Sequence, residues 1–134
     1  MLGGVHFPGE RALHGHSDAD VIAHAVIDAM LGAAGAGDIG GLFPDTDPAL
    51  EGADSIELLR TAAERLSEDG WFLINADCSI VLDAPKISPH RAVMEHNLSE
   101  AAGGPVTLKG KRTEGVTALG EGVQCYASAL MVKS

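Results

Sequence analysis

Several groups of residues in this sequence have the types and spacing to do chemistry. In HSDADVIAHAVIDAML, Asp20, His24 and Asp28 recur at i, i+4 and i+8, which stacks them on one face of a helix. A neutral imidazole flanked by carboxylates suits a transition metal; an ordinary solvated helix stripe has the same spacing. His16 and Ser17 stand just before that helix, where an imidazole and open backbone N–H groups can meet a phosphate. The alternative there is a plain N-cap beside an exposed histidine. Asp38, Asp45 and Asp47 lie in the loop DIGGLFPDTDPALEG and can hold a divalent cation or the hydroxyls of a polyol. They are equally good turn formers, and their spacing is not that of a calcium loop. Ala84-Pro85-Lys86 follows an apolar run, at a junction whose backbone can grip a flat base or a phosphate. Strand ends also carry Pro and Lys routinely. Finally, Lys109-Gly110-Lys111-Arg112-Thr113-Glu114 gathers cations at a strand end in a chain with only nine Lys plus Arg. That concentration suits an anionic ligand, with Glu114 as an oxygen donor for Mg2+, although a solvated strand terminus looks similar.

The elements that must position these residues can be read from periodicity. Gly3 to Phe7 reads as a short strand closed by Pro8-Gly9. Ser17 is a good N-cap for a helix carrying Val21, Ile22, Ala25, Val26, Ala29 and Met30 at helical spacing. Gly32, Gly35 and Gly37 end it. After the 38–52 loop, a second helix begins near Asp54-Ser55 and stops at Gly70. Trp71 to Leu82 reads as a long strand. Ser88 reads as the cap of a third helix, with Pro89 in its first position and Gly103-Gly104 at its end. Val106 to Lys111 and Val123 to Lys133 read as strands. The expectation is a single α+β domain over 1–134: a two-layer sandwich whose mixed four-stranded sheet has helices on one face. The open face is a candidate for covering by oligomerisation.

Bulk composition narrows the function classes. The chain has 134 residues, 46% of them apolar, enough for a core without staples. Aromatics are only 4%, so Ala, Val, Ile and Leu must fill the interior. A formal charge of -10 repels nucleic acid and anionic lipid, and no stretch reaches the length of a membrane span. Cys78 and Cys125 are too few for a disulfide framework. Both read as buried free thiols of a reducing compartment, the cytoplasm by default or a plastid in a plant or alga.

Read together, HSDADVIAHAVIDAMLGAAGAGDIGGLFPDTDP, GADSIELL, DAPKISPH and KGKRTEGVTALGEG resemble the 2-C-methyl-D-erythritol 2,4-cyclodiphosphate synthase family, in its order and over nearly the whole chain. The resemblance implies a homotrimer of α+β subunits with active sites at subunit interfaces. It implies cyclisation of a cytidine diphosphate ester of methylerythritol 2-phosphate, with release of CMP. It makes His24 a ligand of Zn2+ or another divalent transition metal, and Glu114 a ligand of Mg2+ or Mn2+. His16 and Ser17 would close over the phosphates, and Thr113 would lie in the diphosphate-binding strand end. Asp38, Gly40, Asp45 and Ser55 would hold the methylerythritol part, and the Leu82 to Ser88 segment, with Ala84, Pro85 and Lys86 inside it, would hold cytosine.

Two departures from the family pattern stand out. The family's D-x-H motif on its first strand, which completes the zinc site, falls upstream of the Gly3-Gly4 equivalent and is expected to be missing from this chain along with that strand. Lys111-Arg112 stands where many members have Thr-Thr, which makes Arg112 a candidate phosphate contact. A subunit of the same fold that binds CMP or an isoprenoid diphosphate without turnover is the competing reading.

Overall fold

The computed structural model describes residues 1–8, 19–115 and 122–134. Helix α1 spans Val21–Ala33 and is capped by Asp20, whose carboxylate accepts from the N–H groups of Ile22 and Ala23. The cap is therefore Asp20 rather than Ser17. An aspartate here makes the same side-chain bonds to the free N–H groups of the first turn, each cap being worth about 1 kcal/mol. Ser17 itself lies outside the described residues. Ile22, Ala23, Val26, Ile27, Met30 and Leu31 turn the buried face of α1 to the core.

The loop expected over 38–52 carries two short pieces of its own: α2, Ile39–Leu42, and a 3-10 turn, Pro48–Leu50, each capped by the preceding aspartate, Asp38 and Asp47. Helix α3 spans Ser55–Glu68 behind the cap Asp54. Strand β1, Trp71–Val81, is followed by a 3-10 turn at Ser88–His90. Helix α4, Arg91–Ala102, starts only after that turn and has no side-chain cap bond, so Ser88-Pro89 opens a tighter turn instead of capping the helix. Gly103, at φ 79, ends it. Strands β2, Val106–Lys111, and β3, Gln124–Lys133, complete the described elements.

The sheet is mixed, in the order β2-β1-β3. β1 runs parallel to β2, with Ala76 opposite Val106 and Val81 opposite Lys111. It runs antiparallel to β3, with Trp71 opposite Lys133 and Val81 opposite Gln124. The described residues thus form a three-stranded sheet, not the four-stranded one expected. Gly3 to Phe7 does not join it. Leu2 and Val5 exchange both backbone hydrogen bonds with each other, at 2.9 Å each. Gly3 and Gly4 between them have φ of 54 and 77, the positive pair that a two-residue hairpin turn requires. That turn is held by helices: a Cβ on Gly3 would meet the Met94 side chain at 2.8 Å, and Asn97 of α4 donates to the Gly3 carbonyl.

All the helices that pack on the sheet use one of its faces. Leu73, Ala76, Cys78, Ile80 and Leu82 point from the β1 side into a core shared with Leu59, Met94 and Leu98. Each large aliphatic side chain so buried contributes about 1.5–3 kcal/mol. Cys78 is buried and Cys125 only half-buried, and both are free thiols. The other face stays open. Phe72, Ile74, Tyr126, Leu130 and Val132 are 43–63% exposed there.

Candidate active site

Two clefts collect most of the residues singled out from the sequence. The first, about 360 Å³, is lined by His24, Ile39, Gly40, Phe43, Pro44, Asp45, Leu50 and Leu58. The acidic stripe of α1 builds it, but by dividing labour. Asp20, fully buried, accepts from Gly3 and Gly4 as well as from its own helix. It thereby fixes the start of α1 one turn before His24. Asp28 accepts from the N–H of Ile39 at 2.7 Å and so pins α2 to α1. His24, between them, forms the cleft wall, with its Nε2 2.8 Å from the hydroxyl of buried Ser55. Among the described residues both carboxylates anchor backbone. Asp38 is spent on the cap of α2, accepting from Gly41 at 2.8 Å. Asp45 is exposed and lines the cleft.

The second cleft, about 490 Å³, includes Asp83, Pro85, Lys86, Ile87, Arg91, Lys111 and Arg112 in its lining. The peptide between Ala84 and Pro85 is cis. The loop lies close over β2, where a Cβ on Gly110 would meet the Ile87 side chain at 2.9 Å. Cations dominate this lining, in contrast to the negative chain as a whole. Thr113 is buried behind it. Its N–H and hydroxyl donate to the two oxygens of Asp83, at 3.0 and 2.8 Å. Those two bonds hold the Asp83 carboxyl below the usual carboxylate range against the cost of desolvation, with Arg112 adding a smaller attraction. Glu114 follows on an exposed turn with φ 56.

Sequence reasoning thus found His24, Gly40, Asp45 and Ser55, which the structure brings together, and Pro85, Lys86 and Arg112, which it brings together elsewhere. Ala84 sits in the same loop as Pro85, and among the described residues the two clefts share no lining residue. His16 and Ser17 lie outside the described residues. Sequence reasoning covered Asp83 within the 82–88 segment without giving it a role, and missed Arg91 and the apolar wall of Phe43, Pro44, Leu50 and Leu58. A strand-end Asp reads as a turn former, and only the distant partner Thr113 gives it a role. Among the described residues no group of three His, Cys, Asp or Glu side chains could hold a metal ion, and no helix is long and apolar enough to cross a membrane.

Residues 1–132 match a family model described as the YgbB family. The chain belongs to the YgbB family. A 2-C-methyl-D-erythritol 2,4-cyclodiphosphate synthase of Cronobacter sakazakii is 50% identical to it, across 100% of this chain and 87% of that protein. A synthase of the same name from an Azoarcus species is 48% identical, across 100% and 86%. Among solved structures, a 2-C-methyl-D-erythritol 2,4-cyclodiphosphate synthase in a CDP-bound form aligns with a TM-score of 0.87 and 38% identity, over 98% of this YgbB chain and 89% of that one. The bifunctional IspDF of Campylobacter jejuni aligns with a TM-score of 0.92 and 36% identity, over 100% of this chain and 38% of that longer one.

Proposed function

We propose that this chain converts 4-diphosphocytidyl-2-C-methyl-D-erythritol 2-phosphate into 2-C-methyl-D-erythritol 2,4-cyclodiphosphate and CMP. The observation that carries the reading is the 50% identity to a synthase of that name along the entire chain. In the reaction, an oxygen of the 2-phosphate forms a bond to the β-phosphorus. The bond from that phosphorus to the bridging oxygen breaks, and CMP leaves with the electron pair. Nucleophile and electrophile belong to one molecule, so the protein's task is to fold the substrate and screen its charge. Orientation of this kind is worth roughly 7–11 kcal/mol in favourable intramolecular reactions.

In this reading the methylerythritol part lies in the His24 cleft, with Asp45, Asp38 and Gly40 as polar contacts and Phe43 and Leu58 excluding water. Cytosine lies against Ala84-Pro85, and Lys86 and Arg112 draw the phosphates by charge. His16 and Ser17 complete the phosphate contacts. Thr113, whose N–H and hydroxyl are both held by Asp83, sets the position of the strand end that meets the diphosphate. His24 is one ligand of a divalent transition metal and Glu114 one oxygen ligand of Mg2+ or Mn2+. A half-buried imidazole on a cleft wall and an exposed carboxylate on a turn are the donor types these ions prefer. Among the described residues the imidazole has no further pair of His, Cys, Asp or Glu ligands beside it. Cations bound at these positions would withdraw charge from phosphate oxygens and lessen the repulsion between two anions.

We further propose that a homotrimer forms through the open sheet face. Its exposed Tyr126, Leu130 and Val132 are the residue types that isolated surfaces seldom leave uncovered together. The two free thiols support a reducing compartment, the cytoplasm. The test is to incubate the purified protein with the cytidyl substrate and a divalent cation and follow phosphorus NMR. CMP and the cyclic diphosphate in equal amounts are expected. Binding of CDP with no CMP released would favour a non-catalytic subunit of this fold.

A further inference from the structure

We propose that Asp83 is a positioning residue that clamps the turn carrying Glu114 to the loop that receives the nucleotide base; this rests on the reading above. Asp83 is exposed, yet both of its oxygens are committed to one distant residue. Oδ1 accepts the backbone N–H of Thr113 at 3.0 Å, and Oδ2 accepts its hydroxyl at 2.8 Å. The same hydroxyl accepts the N–H of Gly115 at 3.3 Å. A chain of hydrogen bonds therefore runs from residue 83 to residue 115 and straddles Glu114. The strand ladder closes the other side, through Leu82 N–H to the Lys111 carbonyl at 2.9 Å.

The turn needs this restraint. Glu114 has φ 56, a left-handed conformation that residues with a Cβ adopt only when their surroundings hold them there. Its neighbours on both sides, Thr113 and Gly115, are the residues the clamp seizes. Asp83 adjoins Ala84-Pro85-Lys86, and Arg112 adjoins Thr113 in the lining of the same cleft. One carboxylate thus fixes the spacing between the groups that would meet a base and those that would meet a diphosphate. Its role differs from a core contact because its loss frees a turn, not a packed element.

The experiment compares the parent protein with Asp83→Ala, Asp83→Asn and Thr113→Val. Hydrogen exchange of residues 112–115 is read without ligand, and the affinities for CDP with Mg2+ and for CMP are read by calorimetry. In Asp83→Ala, exchange over 112–115 should speed up and CDP affinity with Mg2+ should fall about tenfold, the equivalent of about one lost charge-assisted bond. CMP affinity and the melting temperature should change little. Asp83→Asn keeps an acceptor for the Thr113 N–H and should restore most of the loss, while Thr113→Val should show a partial one. Parental exchange and CDP binding in Asp83→Ala would overturn the clamp, as would equal losses for CMP and CDP. If the parent binds neither nucleotide, the functional reading falls, and the exchange comparison alone still decides whether the clamp exists.

Discussion

Two carboxylates each tie a distant backbone segment to the neighbourhood of a functional side chain, and they do so in opposite surroundings. Asp20 is fully buried and gathers four N–H groups, from Gly3, Gly4, Ile22 and Ala23, one helical turn before His24. Asp83 is exposed and gathers a single residue, Thr113, next to Glu114. Removing a buried hydrogen-bonding partner strands the groups that relied on it, whereas water replaces a lost partner at the surface. The first carboxylate should therefore act on whether the fold persists, and the second on how well one turn is held.

The sharpest way to break this contrast is Asp20→Ala. Four donors lose their acceptor in a dry site, so unfolding free energy should drop by about 3 kcal/mol or more, read from urea denaturation. Parental stability in that variant would remove the distinction between the two anchors. Next in size, His24→Ala should lower CMP release by about 100-fold or more, as losses of electrostatic stabilisers do, with the fold retained because the half-buried ring lines a cleft and not the core. A collapse of stability instead would mean that the Ser55 contact is structural. Arg112→Ala should weaken CDP by about tenfold, with an effect that shrinks as salt is raised; unchanged affinity would remove this cation from the phosphate contacts.

The smallest effect is expected for Asp77→Asn, on the open face of the sheet. Lys109 and Thr107 donate to the Asp77 carboxylate and lower its pKa. A depressed folded-state pKa stabilises the fold above the ordinary carboxylate value, near pH 4, and that contribution is lost as pH falls through the lowered value. The difference in melting temperature between parent and Asp77→Asn should be slight at pH 7 and vanish in strong acid. A difference that grows on acidification would give the pair the wrong sign.

What could be read in the sequence follows the range of the interaction. The apolar spacing of α1 and α3 and the long run of β1 are local signals, and the structure has these elements with ends shifted by a few residues. The acidic stripe was legible as a stripe but not as three separate tasks, because the partners of Asp20 and Asp28 are Gly3, Gly4 and Ile39, on other segments. Ser17 and Asp20 both satisfy the local rule for a cap, and the bonds to Gly3 and Gly4 that tie Asp20 further into the fold were invisible to it. Gly3-Gly4 looked like part of a strand because the neighbouring residues are apolar, while the paired positive φ values make a hairpin turn. Asp83 was passed over for the same reason. A residue whose partner lies thirty positions away leaves no mark in a local window.

The pairing of β1 has a consequence for how the chain reaches this state. Its parallel neighbour β2 is supplied through α4 at short range, but its antiparallel neighbour matches Trp71 with Lys133. Closing a longer stretch of chain costs more entropy, so contacts that span so much sequence form later than local ones. A growing chain will therefore hold Ala76, Cys78 and Ile80 beside an unpaired edge until β3 arrives. That interval is when an intermediate of this fold is most exposed to aggregation.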